Sequence, residues 1–454
     1  MQLVSPWTYA ALAGLLLLNA DLSAAETAPP DPGAVERGRI ALTATSHLAP
    51  AWSADAYEKI TSVWKTPAPD PKTDRAAYDA AVYARYGLSP APYPNDGLPM
   101  GIRRATSRDG RTTGIQLDCM ICHGGSIGGT SYVSVGNSQL DLQEFLSDLT
   151  MADSGRKIPF LFTLNTARGT VNAEQVAAVL LAARNSDLSR RRFPLLLGAK
   201  FPEMDVPAWW LLGRKTTMYS DGRTDARSVR ANMQFLLGEL SLDEFKALEP
   251  TFRDIQAYLN SLKPPKYPFP IDIDRAERGQ SIFKKTCARC HGTYGPDGVY
   301  PNKIVPLDVV KTDPARALGM SITLLRHYNS TWFAEHYPAR EDGEHGYQAP
   351  PLDGVWATAP YLHNGSVPTI DALLNSKTRP ARFLRPPSTA FEHYDTEALG
   401  WKAPPFDPTV EPKSPEARYQ VDTARFGLGN GGHTFGDKLT EEERRDVIEY
   451  LKTL

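Results

Sequence analysis

Cysteine is scarce in this chain of 454 residues: there are four. That number is too small for a disulfide scaffold of this size. An excess of one charge is lacking as well. Lys+Arg is 50 and Asp+Glu is 52, a formal net charge of -2. The chain-wide balance therefore makes no electrostatic case for nucleic acid or for a strongly anionic membrane surface. Long apolar runs are missing too. The one stretch of note, residues 9–18 (YAALAGLLLL), falls short of the ~20 residues that span a bilayer. Methionine is absent after Met320, and histidine is absent between His123 and His291. What the chain has in plenty is proline, 38 residues, above the usual share of about 5%. Short elements joined by irregular chain are expected.

The apolar run is followed by residues 19–25, NADLSAA, whose small residues suit signal peptidase. Residues 1–25 are expected to be a signal peptide, although the leading MQLVSPW has no Lys or Arg. The mature protein is then periplasmic or secreted, from a bacterium, with no membrane span.

All four cysteines fall in two motifs, Cys119-Met120-Ile121-Cys122-His123 and Cys287-Ala288-Arg289-Cys290-His291. This is the spacing of covalent haem c. Two thiols three residues apart reach both vinyl groups of one porphyrin, and the next residue can place its imidazole under the iron. Redox disulfides or one Zn(Cys)4 site are the alternatives, and neither needs a following histidine. Histidine is 9 of 454 residues, so finding it in both slots by chance has odds of about 1 in 2500. Two haems c are expected, attached at Cys119, Cys122, Cys287 and Cys290, with His123 and His291 as proximal ligands.

Helical periodicity is found over residues 73–86, 140–151, 171–184, 242–262, 274–285 and 440–454. Pro250 is expected to start or kink a turn within the fourth of these. Residues 263–270, KPPKYPFP, can form neither a helix nor a central strand and mark a boundary. The expected architecture is mainly α with long loops, in two cytochrome c-like domains that each hold one covalent haem: residues 26–265 and residues 271–454. Thr440 and Glu443 form a capping-box pattern at the last helix.

The sixth ligand separates an electron carrier from a reactive site. The missing methionines leave Met320 as the one methionine candidate in the second half. His433, in GNGGHTFG just before the last helix, is the favoured distal ligand of the second haem, and His363, in TAPYLHNGS, is its rival. The first haem has no nearby histidine except His47 upstream. Met100, Met151, Met204, Met218 or Met233 could serve it, or nothing. Phe235, Trp209 and Trp210 are pocket candidates there. Trp356 is a candidate electron relay between the haems, Arg289 a candidate contact for a haem propionate, and Asp221, Asp225 and Asn232 a weak candidate Ca2+ set.

Several longer segments carry a resemblance. They are residues 278–295 and 300–305, the stretch Trp356-Ala-Thr-Ala-Pro-Tyr-Leu-His-Asn-Gly-Ser-Val-Pro-Thr369, residues 429–436, Ala208-Trp-Trp-Leu211 and Asn232-Met-Gln-Phe235. From about residue 100 to the end the chain resembles the di-haem cytochromes related to rubber oxygenases. It is similar, more loosely, to bacterial di-haem cytochrome c peroxidases and the tryptophylquinone-forming di-haem enzyme. The resemblance implies a first haem that takes O2 or peroxide and a bis-His second haem held by His291 and His433. The peroxidase relatives carry a methionine after the TAPYxHxGS stretch, and this chain has none there. Rubber oxygenases are longer, so a smaller unsaturated or aromatic substrate is expected in place of a long polymer. Three functions follow: an oxygenase using O2, a peroxidase reducing H2O2 with electrons from a small redox protein, or a non-catalytic electron-transfer cytochrome.

Overall fold

A computed structural model describes residues 31–157, 162–197, 200–238, 240–406 and 415–454. The expected signal peptide lies outside them. The protein is helical with small sheets. Among the described residues no helix is long and apolar enough to cross a membrane.

Eight helices of eight residues or more are described: α1 (Pro32–Ala44), α2 (Arg75–Tyr86), α3 (Leu142–Ser154), α4 (Ala173–Ala182), α5 (Leu242–Ser261), α6 (Ile273–Thr286), α7 (Ile322–Asn329) and α8 (Glu441–Leu451). Six of them match the periodic segments to within a few residues at each end. Local chemistry explains their starts. Asp31, Asp74, Asp141, Asn172 and Asp272 each accept a backbone N–H of the first turn. Ser241 with Glu244, and Thr440 with Glu443, close full capping boxes. Pro250 sits inside α5, which runs on through it. It occupies the third turn, where Phe245, Phe252, Ile255 and Leu259 bury one face and outweigh one lost hydrogen bond. No described strand exceeds five residues. The largest sheet has three strands, with Thr113–Leu117 between Trp52–Ser53 and Ile102–Thr106, all antiparallel.

Two helix pairs organise the chain, and they repeat one design. α1 crosses α5 where Gly38 meets Asp254: a Cβ on Gly38 would lie 1.9 Å from the Asp254 carbonyl oxygen. α6 crosses α8 where Gly279 meets Asp446, and a Cβ there would again lie 1.9 Å from a carbonyl oxygen. An arginine beside each glycine pairs with the facing aspartate. Arg37 Nε donates to Asp254 at 2.7 Å, and Arg278 Nε to Asp446 at 2.9 Å. The sequences agree: Glu-Arg-Gly at 36–38 and at 277–279, and Arg-Asp followed by Tyr-Leu at 253–259 and at 445–451. Close approach of two helices requires glycine at the crossing, because any side chain would force the axes apart.

The two pairs differ in what lies between their helices. In the second pair Cys287 follows Gly279 by eight residues (287 minus 279), so α6 runs straight into the second motif. In the first pair Cys119 follows Gly38 by 81 residues (119 minus 38), and α2 and the three-stranded sheet fill the gap. The proline-rich residues 263–270 join α5 to α6 with neither helix nor strand. Trp356, 1% exposed, donates its indole N–H to Pro265 O and stacks edge-on against Tyr267 and Tyr394.

Candidate haem site

Each Cys-x-x-Cys-His motif folds as one helical turn, Met120–His123 and Ala288–His291. In both, the histidine N–H bonds the carbonyl of the first cysteine, at 3.0 Å for His123 and 3.1 Å for His291. All four cysteines are free thiols. Cys119 is exposed and the other three are half-buried. Burial pushes the Cys122 thiol up to about 12 and Cys287 up to about 11.

The two histidines are held alike. His123 Nδ1 lies 3.2 Å from Pro207 O, and His291 Nδ1 lies 2.8 Å from Pro350 O. A proline carbonyl in that place fixes the tautomer with the proton on Nδ1 and leaves Nε2 free to bind iron. Burial lowers the His123 pKa to about 4 and lowers that of His291 as well. Both therefore stay in the neutral, ligating form.

The faces opposite them differ. The His433 ring stands 6.1 Å from the His291 ring, centroid to centroid. Two imidazoles on opposite sides of one metal, with bonds of about 2 Å, hold their centroids roughly 6 Å apart. Burial and the nearby His291 lower the His433 pKa to about 3. Its Nδ1 is buried without a hydrogen-bond partner. Geometry and donor chemistry thus both fit a haem iron between the rings. At His123 the described ring contact is Trp209, stacked flat on the imidazole itself at 4.1 Å with a 17° tilt and so on the histidine's own side; among the described residues no second histidine ring stands near His123. His47, the one histidine upstream, is engaged elsewhere, 3.2 Å from Ala41 O and against Phe252.

The His433 loop is shaped by features outside any motif. His433 adopts φ 45°, and its N–H donates to Val310 O at 2.7 Å. Gly432 has φ 72°, and a Cβ there would lie 2.2 Å from the Lys311 carbonyl carbon, so only glycine fits. Arg379 gathers the loop with its whole guanidinium. It donates to Asn430 O and Gly432 O at 2.7 Å each, to His433 O at 3.2 Å, and to Ala372 O and Leu373 O. Phe435 lies beside His433, and Arg289 sits over its ring at 5.5 Å. Arg289 thus faces the His433 loop. Sequence reasoning missed Arg379, Pro207 and Pro350, which carry no local signal because their partners are backbone carbonyls or rings far away in the chain.

The other candidates are placed as follows. His363 stacks on Tyr347 at 4.0 Å, its Nε2 is buried without a partner, and burial with the nearby Arg316 lowers its pKa to about 3. Met320 packs against the core that holds Met100, Met120 and Met233. Met100 lies against Gly124. Met204 lies in a short strand paired with Val171, Met218 is in a small core with Ala226 and Ala231, and Met151 is in α3. Phe235 is 38% exposed. Trp210 turns away from His123 toward the second half of the chain, donating its indole N–H to Asp353 O at 2.9 Å. Asp353 also pairs with Arg214 at 2.8 Å. The two proline anchors are therefore bridged: Pro207 is three residues before Trp210, Pro350 is three before Asp353, and Trp210 bonds Asp353. The Ca2+ set does not converge. Asp221 is paired with Arg223 and Arg316, and Asp225 with Arg227. Among the described residues no three acidic, histidine or cysteine side chains group to hold a free metal ion. Arginine already neutralises both carboxylates, so that expectation is corrected.

The chain is also similar in sequence to known proteins. Residues 346–384 match the model of a family described as RoxA-like, cytochrome c-like. An uncharacterized protein of Sinorhizobium fredii, y4iM, is 33% identical over 286 residues, covering 55% of this chain and 64% of the relative. A second from that organism, y4iJ, is 30% identical over 260 residues, 42% of this chain and 41% of the relative. Cytochrome-c peroxidase IdrP2 of Denitromonas iodatirespirans is 34% identical over 112 residues, 21% of this chain and 29% of the relative. The chain spans less than two thirds of the length of each of these relatives. It contains a cytochrome c-like domain, whose kind carries haem c, and the likenesses support a haem c oxidoreductase or electron-transfer role.

Proposed function

We propose that the chain is an exported di-haem cytochrome c with two unlike sites. The second, at His291 and His433, is a closed bis-His site that stores and passes electrons. The first, where His123 would hold a haem c, would carry rubber-oxygenase-like O2 chemistry. Haem c, when bound, would supply one-electron redox chemistry and the capacity to take O2 or peroxide. The observation that carries this reading is the contrast in histidine partners: the His433 ring stands 6.1 Å from that of His291, whereas among the described residues no second histidine ring stands near His123. The chain's own residues do the rest. Pro207 and Pro350 orient the imidazoles, and Arg379 fixes the His433 loop. Trp210 and Asp353 join the two anchors and form the relay, in preference to Trp356, whose indole is tied to the linker. An unsaturated or aromatic small molecule is the substrate.

A second reading, reduction of H2O2 with electrons from a small redox protein, is favoured by the likeness to a cytochrome-c peroxidase. The two separate in one experiment. The reduced protein is mixed with O2 and, separately, with H2O2, and the visible spectrum is followed in wild type and His123→Ala. The oxygenase reading expects an O2-dependent change that His123→Ala removes. Turnover of peroxide with no response to O2 would establish the peroxidase reading instead.

A further inference from the structure

Chain-wide neutrality conceals one local concentration of charge. Arg190, Arg191 and Arg192 are consecutive. Among the described residues none of the three takes part in an ion pair. The nearby carboxylate, Asp187, is turned onto the Ser189 N–H and hydroxyl. Directly after the arginines come Phe193, 74% exposed, and Leu196, 93% exposed, the two most exposed large apolar side chains described.

This is not loose chain. The loop base is pinned to the end of α4: Arg191 N–H donates to Ala183 O and Leu195 N–H to Ala182 O, both at 2.9 Å. Arg184 and Arg190 form a β-bridge, and Leu188 and Leu197 anchor the flanks in the core. Pro194 fixes the backbone between the two exposed side chains. Arg192 lies over the Phe193 ring at 5.4 Å. Arg190 and Arg191 make long bonds to the Gly238 and Phe193 carbonyls, at 3.5 and 3.4 Å, so the result is a braced projection with apolar tips and three guanidiniums that no carboxylate neutralises.

We propose that residues 190–196 dock the protein reversibly on an anionic lipid surface. Phe193 and Leu196 enter the acyl boundary, and the arginines pair with headgroup phosphates. Charge complementarity selects this occupant. Guanidinium matches phosphate in two-toothed fashion, and each basic side chain near an anionic leaflet adds to attachment. Separate protruding side chains suit insertion into a soft interface, whereas a protein partner would want a flat or concave patch of roughly 800 Å² per side. The proposal is independent of the haem reading.

The test is co-sedimentation of the full-length mature protein with vesicles of phosphatidylglycerol and phosphatidylcholine in equal parts, against phosphatidylcholine alone. The expected result is binding to the anionic vesicles, weakened at least tenfold by raising salt, by R190Q/R191Q/R192Q and by F193S/L196S. The altered side chains are exposed apart from the half-buried Arg191, so the visible spectrum and melting temperature should stay close to wild type. No binding to anionic vesicles at low salt overturns the proposal. So does binding that both variants leave unchanged, or a lipid-free sedimentation profile in which F193S/L196S converts a dimer to a monomer, which would make the loop a contact between copies.

Discussion

In the proposed second site His433 is the deciding residue, and its backbone is held in place by Arg379. Arg379 spends its five donors on carbonyls, three of them in the 430–433 segment. The three bonds into that segment, at about 1.5 kcal/mol or more each, hold His433 at its positive φ. His433→Ala should convert one haem from low-spin to high-spin, and an unchanged spectrum would show that His433 is no ligand. Arg379→Ala should do the same in part, leaving a mixture of spin states that Arg379→Lys only partly repairs, because an ammonium lacks the planar fork. A fully low-spin Arg379→Ala spectrum would remove Arg379 from this role. Composition already singled out His433, since the absent methionines point to histidine and a Gly-rich loop suits close approach to a porphyrin, and the structure sets its ring 6.1 Å from that of His291. Arg379 was not legible, because an arginine bonding carbonyls 51 to 54 residues away leaves no pattern in its own neighbourhood.

Helices were the easiest elements to read, since apolar spacing and caps are local. Their pairing was not. The Glu-Arg-Gly and Arg-Asp…Tyr-Leu repeats sit in plain sight, but the glycine-to-aspartate separations are 216 residues (254 minus 38) and 167 residues (446 minus 279), so no fixed period exposes them. Only the crossings show that each glycine answers an aspartate carbonyl. Gly279→Ala should destabilise the second half by about 1–3 kcal/mol, the usual cost of forcing a group into a filled contact. Gly38→Ala should cost a similar amount in the first. Denaturant midpoints measure both, and wild-type stability in either variant would mean that the helices do not meet at these glycines. Asp446 is nearly fully buried between Arg275 and Arg278. Asp446→Ala should therefore cost more than the exposed Glu441–Arg445 pair, which contributes under about 1 kcal/mol.

At the scale of the whole molecule, two features tie the halves together. Between them lies a buried charge cluster, in which Glu174 of α4 and Asp221 face Arg316 at 3.0 and 3.1 Å, with Arg223 beside them. Burial, opposed in part by Arg316, raises the Glu174 pKa from 4.5 to about 7. The folded protein then keeps a proton that the unfolded chain releases. That contribution is fully present below about pH 4.5 and is lost as pH rises through about 7, at most about 3 kcal/mol. Denaturant midpoints should fall over that window, and Glu174→Gln should flatten the fall. An equally steep fall in the variant would assign it to other groups. The second tie is Trp210–Asp353, which joins the two proline anchors. Trp210→Phe keeps the ring and loses the bond. It should slow electron equilibration between haems after a flash while leaving both spectra unchanged, and an unaltered rate would exclude this route. Neither tie could be read from the sequence, for each joins residues more than 90 positions apart.

The central claim is that two haems c sit in unlike ligand environments on one chain. Low-temperature EPR of the as-isolated protein, calibrated by a pyridine haemochrome count, tests it most directly. The account predicts two haems per chain and two signals of equal weight, one low-spin from the His291–His433 pair and one high-spin from the site at His123. One haem per chain, or two low-spin signals, would contradict it.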